Sequence, residues 1–170
     1  MGTPFKLFAI EGPSYVGKTS LCEQLSKENP DFVTVPELSV FADGAHNFPD
    51  VPTSKKQAKQ SAVYFLELEI RRQKFVEKKL NQNFFVILDR SWLSSIAYDY
   101  ACASLGEYDV WSETERLFQR HNFSNPYKIF YLNAPRSVLI ERKKNRIDTG
   151  KFDLIQRLIK PSFNDGFIEY

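Results

Sequence analysis

The chain has 170 residues, a length that predicts a single domain. Its 23 basic and 21 acidic residues leave a net charge of +2, which excludes binding to a nucleic acid polymer or to an anionic membrane by overall charge. The longest apolar run, Phe84 to Leu88, is far too short to cross a membrane. With 42% hydrophobic residues, the composition is that of a folded protein.

The N-terminus and the cysteines favour a cytoplasmic location. The apolar stretch from Phe5 to Ile10 is interrupted by Lys6 and followed by an acidic residue, so it lacks the anatomy of a signal peptide. Cys22 and Cys102 have neither metal-ligand spacing nor the pattern of a disulfide framework. We therefore expect a reducing compartment.

Short apolar runs alternate with helical patterns along the whole chain. Runs rich in β-branched and aromatic residues predict strands at Phe5–Ile10, Phe32–Val35, Phe84–Leu88, Lys128–Leu132 and Gly166–Tyr170. Apolar residues at helical spacing predict helices at Lys18–Lys27, Ser54–Leu80, Ser91–Ala103, Trp111–His121, Pro135–Lys144 and Phe152–Lys160. This alternation predicts an α/β fold, a five-stranded parallel sheet flanked by helices on both faces. Ligands of such sheets bind beyond the carboxyl ends of the strands.

The clearest motif is GPSYVGKT at residues 12–19, which matches G-x-x-x-x-G-K-[ST] between a predicted strand and a predicted helix. Its two glycines allow backbone N–H groups to turn toward phosphate oxygens at a helix N-terminus, where the helix dipole favours an anion. The motif predicts a P-loop formed by Gly12, Pro13, Ser14, Tyr15, Val16, Gly17, Lys18, Thr19 and Ser20.

The polar side chains of this motif predict ATP and Mg²⁺ as the cofactors. Lys18 is expected to reach the β- and γ-phosphates, and Ser20 to add a hydrogen bond to phosphate. Thr19 offers a hydroxyl to Mg²⁺. Asp89 follows a predicted strand at the same sheet edge, where a carboxylate can hold the same ion, although Asp is also a good helix N-cap.

Two further residues at that edge are candidates for catalysis. Arg90 follows Asp89 and could neutralise phosphate charge during transfer. Glu37 lies just past the short strand at Phe32–Val35 and is either a general base or a loop carboxylate.

A basic segment near the C-terminus predicts a lid. Between residues 136 and 160 there are eight basic residues against three acidic ones. Arg142 and Arg146 are one helical turn apart and can project together. Arginines on a closing segment at about 142–153 would compensate triphosphate charge and exclude water; a solvated basic helix is the alternative.

The sequence resembles the thymidylate kinase and deoxynucleoside kinase group of P-loop phosphotransferases. The resemblance rests on IEGPSYVGKTSL at 10–21, DRSWLSSIAYD at 89–99 and YLNAPRSVLIERKKNR at 131–146. It implies one P-loop kinase domain over residues 1–170, ATP as phosphate donor, a small (deoxy)nucleotide or nucleoside as acceptor, and a homodimer as a common assembly of the group.

The sequence leaves two kinds of phosphate acceptor open, and each needs different side chains. A nucleoside monophosphate needs cations, which Arg71, Arg72 and Arg90 could supply. A 5′-hydroxyl benefits from a carboxylate base, which Glu37 could be. The segment at 89–99 favours the monophosphate.

Aromatic side chains that could enclose the acceptor base are Phe41, Tyr64, Phe65, Trp92 and Tyr98, although burial in the core is the more common role for such residues. The sequence is also consistent with two other functions: a P-loop kinase of a different small molecule, and a nucleotide-binding protein without turnover.

Overall fold

The computed structural model describes residues 5–145. Within this range, four parallel strands form one sheet in the order β2-β3-β1-β4. The strands are β1 (Leu7–Glu11), β2 (Phe32–Val35), β3 (Phe85–Asp89) and β4 (Lys128–Tyr131). Ile10 of β1 is in register with Asp89 of β3, and Glu11 with Tyr131 of β4. The carboxyl ends of the three strands therefore meet at one edge.

Six α-helices connect and follow these strands. They are α1 (Lys18–Glu28), α2 (Leu38–Phe41), α3 (Lys55–Asn81), α4 (Leu93–Ser104), α5 (Trp111–Gln119) and α6 (Arg136–Lys144). A 3₁₀ turn spans Ala45–Asn47. The long helix α3 begins after Ser54, whose hydroxyl accepts a hydrogen bond from the Gln57 backbone N–H at 3.3 Å.

Helices cover both faces of the sheet because side chains alternate along each strand. On one face, Leu7 and Ala9 of β1 pack in a cluster with Val76 of α3. On the other face, Ile10 packs with Cys22 of α1. Two further clusters join α3 to α4 and α5, which fixes α4 beside the strand ends.

The predicted α/β fold with a parallel sheet between two helical layers is confirmed. Each of the four described strands begins and ends within two residues of its predicted bounds. Four strands are observed where five were predicted, and the fifth, Gly166–Tyr170, lies outside the described residues, as does the predicted helix Phe152–Lys160.

Two elements were not predicted from the sequence. The short helix α2 and the 3₁₀ turn both follow β2, in a stretch too short to show a helical period. Among the described helices, none is long and apolar enough to cross a membrane.

Candidate active site

The P-loop joins β1 to α1 in the conformation that its glycines permit. Gly12 has φ +137°, and a Cβ atom there would lie 2.2 Å from the Leu132 carbonyl oxygen. Gly17 has φ +105° and forms the N-cap of α1. Both positions therefore require glycine, and the turn delivers Lys18 to the first position of α1.

Lys18 is a buried cation without an anionic hydrogen-bond partner. Its side chain is buried, with the residue 6% exposed, and its ammonium group donates to the Pro13 carbonyl oxygen at 2.9 Å. Burial, and then the charge of Arg90, lower the pKa of Lys18 to about 7. A buried ammonium is stabilised by an anion, so this position favours a bound phosphate.

Thr19 and Asp89 form the second polar pair at the strand ends. The Thr19 hydroxyl donates to Asp89 Oδ2 at 2.6 Å. Asp89 Oδ1 is buried and accepts no hydrogen bond, and burial raises the pKa of Asp89 despite the Thr19 hydroxyl.

This pair fits Mg²⁺, which takes one or two protein oxygens and completes its shell with water and phosphate oxygens. Asp89 Oδ1, which accepts no hydrogen bond, is a carboxylate oxygen of the kind that Mg²⁺ prefers. Across residues 5–145 there is no cluster of three or more His, Cys, Asp or Glu that could hold a metal ion.

Glu11, which the sequence analysis did not single out, ties β1 to the turn after β3. Its Oε1 accepts from the Ser91 backbone N–H at 2.6 Å and from the Ser91 hydroxyl at 2.8 Å. Its Oε2 accepts from the Ser94 hydroxyl at 2.7 Å. The carboxylate thereby fixes the start of the α4 segment relative to the P-loop.

Arg90 lies between these groups in a left-handed conformation, with φ +67°. Arg72 donates to the Arg90 carbonyl oxygen at 3.0 Å. The Arg90 side chain is 20% exposed, and its guanidinium is 3.8 Å from Glu37 and 3.9 Å from Glu11. Arg72 thus holds the backbone of Arg90, while the Arg90 guanidinium remains accessible to a ligand.

A cavity of about 1130 Å³ extends from the P-loop to α4 and α5. Of the residues predicted for the substrate, those that line it are Glu37, Phe65, Arg72, Arg90 and Tyr98. The loop after α2 closes one side, where Phe48 meets the Phe65 ring edge to face at 5.0 Å. The structure thus brings most of the predicted donor and acceptor residues to one space.

Two predicted acceptor residues do not line the cavity, and a third lines it with its charge already paired. Phe41 packs against the core cluster under the sheet instead of lining the cavity. Arg71 is exposed and does not line the cavity, because α3 turns it away from the side that Arg72 occupies. Arg72 is fully buried and forms an ion pair with Glu69, so its charge is already compensated.

Of the two arginines predicted in the lid, Arg142 is described and Arg146 lies outside the described residues. Arg142 donates to the Val16 carbonyl oxygen at 2.8 Å and to the Tyr15 carbonyl oxygen at 3.2 Å. It thus holds the P-loop backbone from α6 and also lines the cavity.

A parallel sheet with a P-loop, an acid at the end of the neighbouring strand and an adjoining cavity are features of P-loop nucleotide kinases. The thymidylate kinase family model matches residues 10–169. The chain belongs to the thymidylate kinase family, whose substrates are nucleotides.

One relative and two solved structures show what the chain is similar to. A thymidylate kinase of Buchnera aphidicola is 28% identical over 170 residues, covering 94% of this chain and 77% of the relative. The fold resembles thymidylate kinase from Candida albicans, with TM-score 0.70, 20% identity and coverage of 97% of this chain and 77% of that one. Deoxyadenosine kinase from M. mycoides with bound dATP has TM-score 0.63 at 20% identity, covering 95% and 81%.

Proposed function

We propose that this kinase transfers the γ-phosphoryl group of ATP, in the presence of Mg²⁺, to a (deoxy)nucleoside monophosphate. The observation that carries the proposal is one continuous cavity. Lys18 and Thr19 line one end of it, and the polar side of α4 lines the other. Arg90 also lines this cavity. Donor and acceptor can therefore share one space, as in-line transfer requires.

At the donor end, backbone N–H groups of the P-loop and the Lys18 ammonium would bind the ATP phosphates. Thr19 and Asp89 would hold Mg²⁺, which supplies neutralisation of phosphate charge when bound. Arg142 positions the P-loop through its carbonyls, and Arg146 is proposed to complete the lid at about 142–153.

At the acceptor end, Arg90 is the cation we assign to the acceptor phosphate. Its guanidinium is accessible, and its two carboxylate neighbours lie at 3.8 and 3.9 Å, longer than close hydrogen bonds. A phosphate could replace Glu37, which is 44% exposed, as the partner of Arg90. The bound acceptor would then be oriented toward the P-loop.

A second candidate, phosphorylation of a deoxynucleoside 5′-hydroxyl, is favoured by the position of Glu37. Its carboxylate lines the cavity and accepts from the Ser39 hydroxyl at 2.8 Å. Since Arg71 is outside the cavity and Arg72 is paired with Glu69, neither offers a free cation to an acceptor phosphate within residues 5–145. Glu37 would serve there as general base.

We further propose a single domain over residues 1–170, a cytoplasmic location and a homodimer, from the family to which the chain belongs.

Lys18→Ala tests the proposed transfer. Loss of this cation should lower kcat by at least about a hundredfold, because charge on the transferred group is no longer compensated. The measurement is ADP release with Mg·ATP and a panel of deoxynucleosides and their monophosphates. Lys27→Ala, the same change on the exposed side of α1, is the matched control. Full activity of Lys18→Ala would exclude the proposed mechanism.

Glu37→Gln separates the two acceptors in the same assay. With a monophosphate acceptor we expect less than about a tenfold change in kcat, because no base is needed. With a hydroxyl acceptor the loss should be about 10²- to 10⁴-fold. Turnover of nucleosides alone, with that loss, would replace the monophosphate by the nucleoside as substrate.

A further inference from the structure

Two ionisable side chains of α3, Glu69 and Arg72, are buried, with 0% exposure each. Arg72 donates to both carboxylate oxygens of Glu69, from Nε at 3.3 Å and from Nη2 at 2.5 Å. A two-point pair of this kind fixes the orientation of the guanidinium plane. Although Arg72 lies in the wall of the cavity, its side chain exposes no surface there, so it does not offer itself to a ligand directly.

The same carboxylate ties α3 to the chain segment before β4. Glu69 Oε1 also accepts from the Gln73 side-chain amide at 2.8 Å, and Gln73 Oε1 accepts from the Ser124 backbone N–H at 3.2 Å. Gln73 is 4% exposed. Glu69 is therefore held from two sides, and it orients Arg72 firmly.

The ion pair contributes something that an apolar pair could not. Two buried charges lose their hydration on folding, and apolar side chains of similar volume often stabilise a protein as well or better. An apolar pair would lack the third hydrogen bond of Arg72, in which Nη1 donates to the Arg90 carbonyl oxygen at 3.0 Å. That hydrogen bond is the contribution specific to the charged pair.

Arg90 is held at both of its peptide groups. Its N–H donates to the Ile10 carbonyl oxygen at 3.1 Å, and its carbonyl oxygen accepts from Arg72. These contacts hold φ at +67°, a left-handed conformation that a residue other than glycine keeps only where its surroundings fix it. Since the backbone angles set the direction of the side chain, they also set where the Arg90 guanidinium lies in the cavity.

We propose that Glu69 and Arg72 are positioning residues for the acceptor phosphate. Glu69 orients Arg72, and Arg72 holds the backbone of Arg90 so that the Arg90 guanidinium meets the acceptor phosphate. The inference rests on the proposed function, in which Arg90 binds that phosphate. Arg72 thus acts on the acceptor through Arg90 and not by direct contact.

Arg72→Met tests the proposal, because it removes the donor to Arg90 and keeps a long side chain. We expect the KM of the acceptor to rise by about tenfold and the KM of ATP to change by less than about twofold. The acceptor is whichever of dTMP, dCMP, dAMP and dGMP the wild type uses with the highest kcat/KM. The matched control is Arg71→Met, at the exposed neighbouring position outside the cavity, which should leave both constants unchanged.

A second variant separates positioning from stability. Arg72→Met leaves the Glu69 carboxylate buried without its cation, which should lower the melting temperature by at least about 5 °C. Glu69→Gln/Arg72→Met removes both charges, and the new amide oxygen can still accept from Gln73. We expect its melting temperature to return toward the wild-type value while the KM of the acceptor stays about tenfold raised.

A third variant tests whether Arg72 acts through Arg90. Arg90→Ala removes the guanidinium that Arg72 is proposed to position. If Arg72 acts only through Arg90, adding Arg72→Met to Arg90→Ala raises the KM of the acceptor no further, because the effects of coupled residues do not add.

The outcomes distinguish the proposal from its alternatives. An acceptor KM that returns to the wild-type value together with the melting temperature in Glu69→Gln/Arg72→Met would show a structural role only and overturn the proposal. A further rise when Arg72→Met is added to Arg90→Ala would show that Arg72 contacts the acceptor itself, which would also overturn it. Turnover of monophosphates with an unchanged acceptor KM in Arg72→Met would refute the positioning role alone. Absence of turnover of every monophosphate by the wild type would instead refute the proposed function, and this inference with it.

Discussion

At the scale of single residues, the site depends on charges that are buried and held by few partners. Glu11, Lys18 and Asp89 are all less than a tenth exposed at the strand ends. Glu11 is satisfied by three hydrogen bonds from serines, whereas Lys18 and Asp89 each keep unused capacity. The satisfied group organises the site, and the unsatisfied ones are left for phosphate and metal.

Glu11→Gln tests the organising role. The amide cannot accept at both of its ends, and the hydroxyls of Ser91 and Ser94 lose a charge-assisted partner. We expect the free energy of unfolding in urea to fall by about 1–3 kcal/mol.

Activity should change in the same variant. The KM of the acceptor should rise by about tenfold, because the turn that carries Arg90 is no longer fixed, while the KM of ATP changes less. Glu23→Gln on the exposed side of α1 serves as control. Equal stability and equal acceptor KM in Glu11→Gln and wild type would show that the hydrogen bonds to Ser91 and Ser94 are dispensable.

At the scale of elements, the site depends on two turns that approach neighbouring backbone closely. The P-loop passes under the end of β4, where Gly12 faces the carbonyl of Leu132. The turn after β3 adopts the left-handed conformation at Arg90, a conformation that costs free energy outside glycine. Arg72 and Glu11 offset that cost through hydrogen bonds to this turn.

Gly12→Ala tests the close contact between the P-loop and the Leu132 carbonyl oxygen. The added methyl group would meet the Leu132 carbonyl at 2.2 Å, so β1 and β4 must separate. We expect a loss of at least about 3 kcal/mol in the free energy of unfolding, measured by urea denaturation.

Gly106→Ala is the comparison, since Gly106 also has positive φ but no heavy atom within 4 Å of the place that an alanine methyl group would take. Its cost should be about 1–2 kcal/mol, from backbone strain alone. If both variants lost the same free energy, the close approach of β4 would contribute nothing.

At the scale of the whole molecule, the buried Asp99 makes stability depend on pH. Its pKa is about 6 in the folded chain against an ordinary value of 3.8. Below pH 3.8 Asp99 is protonated in both the folded and the unfolded chain, so it does not lower the free energy of unfolding. Between pH 3.8 and 6 the unfolded chain loses this proton first, and the free energy of unfolding falls. Above pH 6 this decrease is complete, at up to about 3 kcal/mol.

Asp99→Asn removes this penalty. The gain in free energy of unfolding relative to wild type should therefore be larger at pH 8 than at pH 4, measured by urea denaturation without ligand. Thr114 donates a hydrogen bond to Asp99. Burial, and then Tyr98, Cys102 and the charge of Asp99, raise the pKa of Tyr108 well above its ordinary value. Tyr108 therefore stays neutral over this range. A gain independent of pH would contradict the proposed titration.

The predicted strands are confirmed because their signal is local, a short pattern in consecutive residues. The structure also places the P-loop segment between β1 and α1 and Asp89 at the end of β3, where the sequence predicts them. Glu11 could have been found by the same rule that found Asp89, since both acids end a buried strand at the same edge. The polar face of α4 was also readable from its spacing, although the partner of Asp99 was not.

The sequence by itself determined the fold class, the P-loop and the family resemblance, because these depend on periodicity and on residue types at fixed spacing. Only the tertiary structure decided that Arg71 points outward, that Arg72 is neutralised by Glu69, and that Arg142 binds the P-loop carbonyls. These outcomes depend on how helices rotate against the sheet and on contacts such as Arg142 to Val16, between residues far apart in the chain. Such contacts leave no local pattern in the sequence, so folding has to bring the residues together before their roles can be assigned.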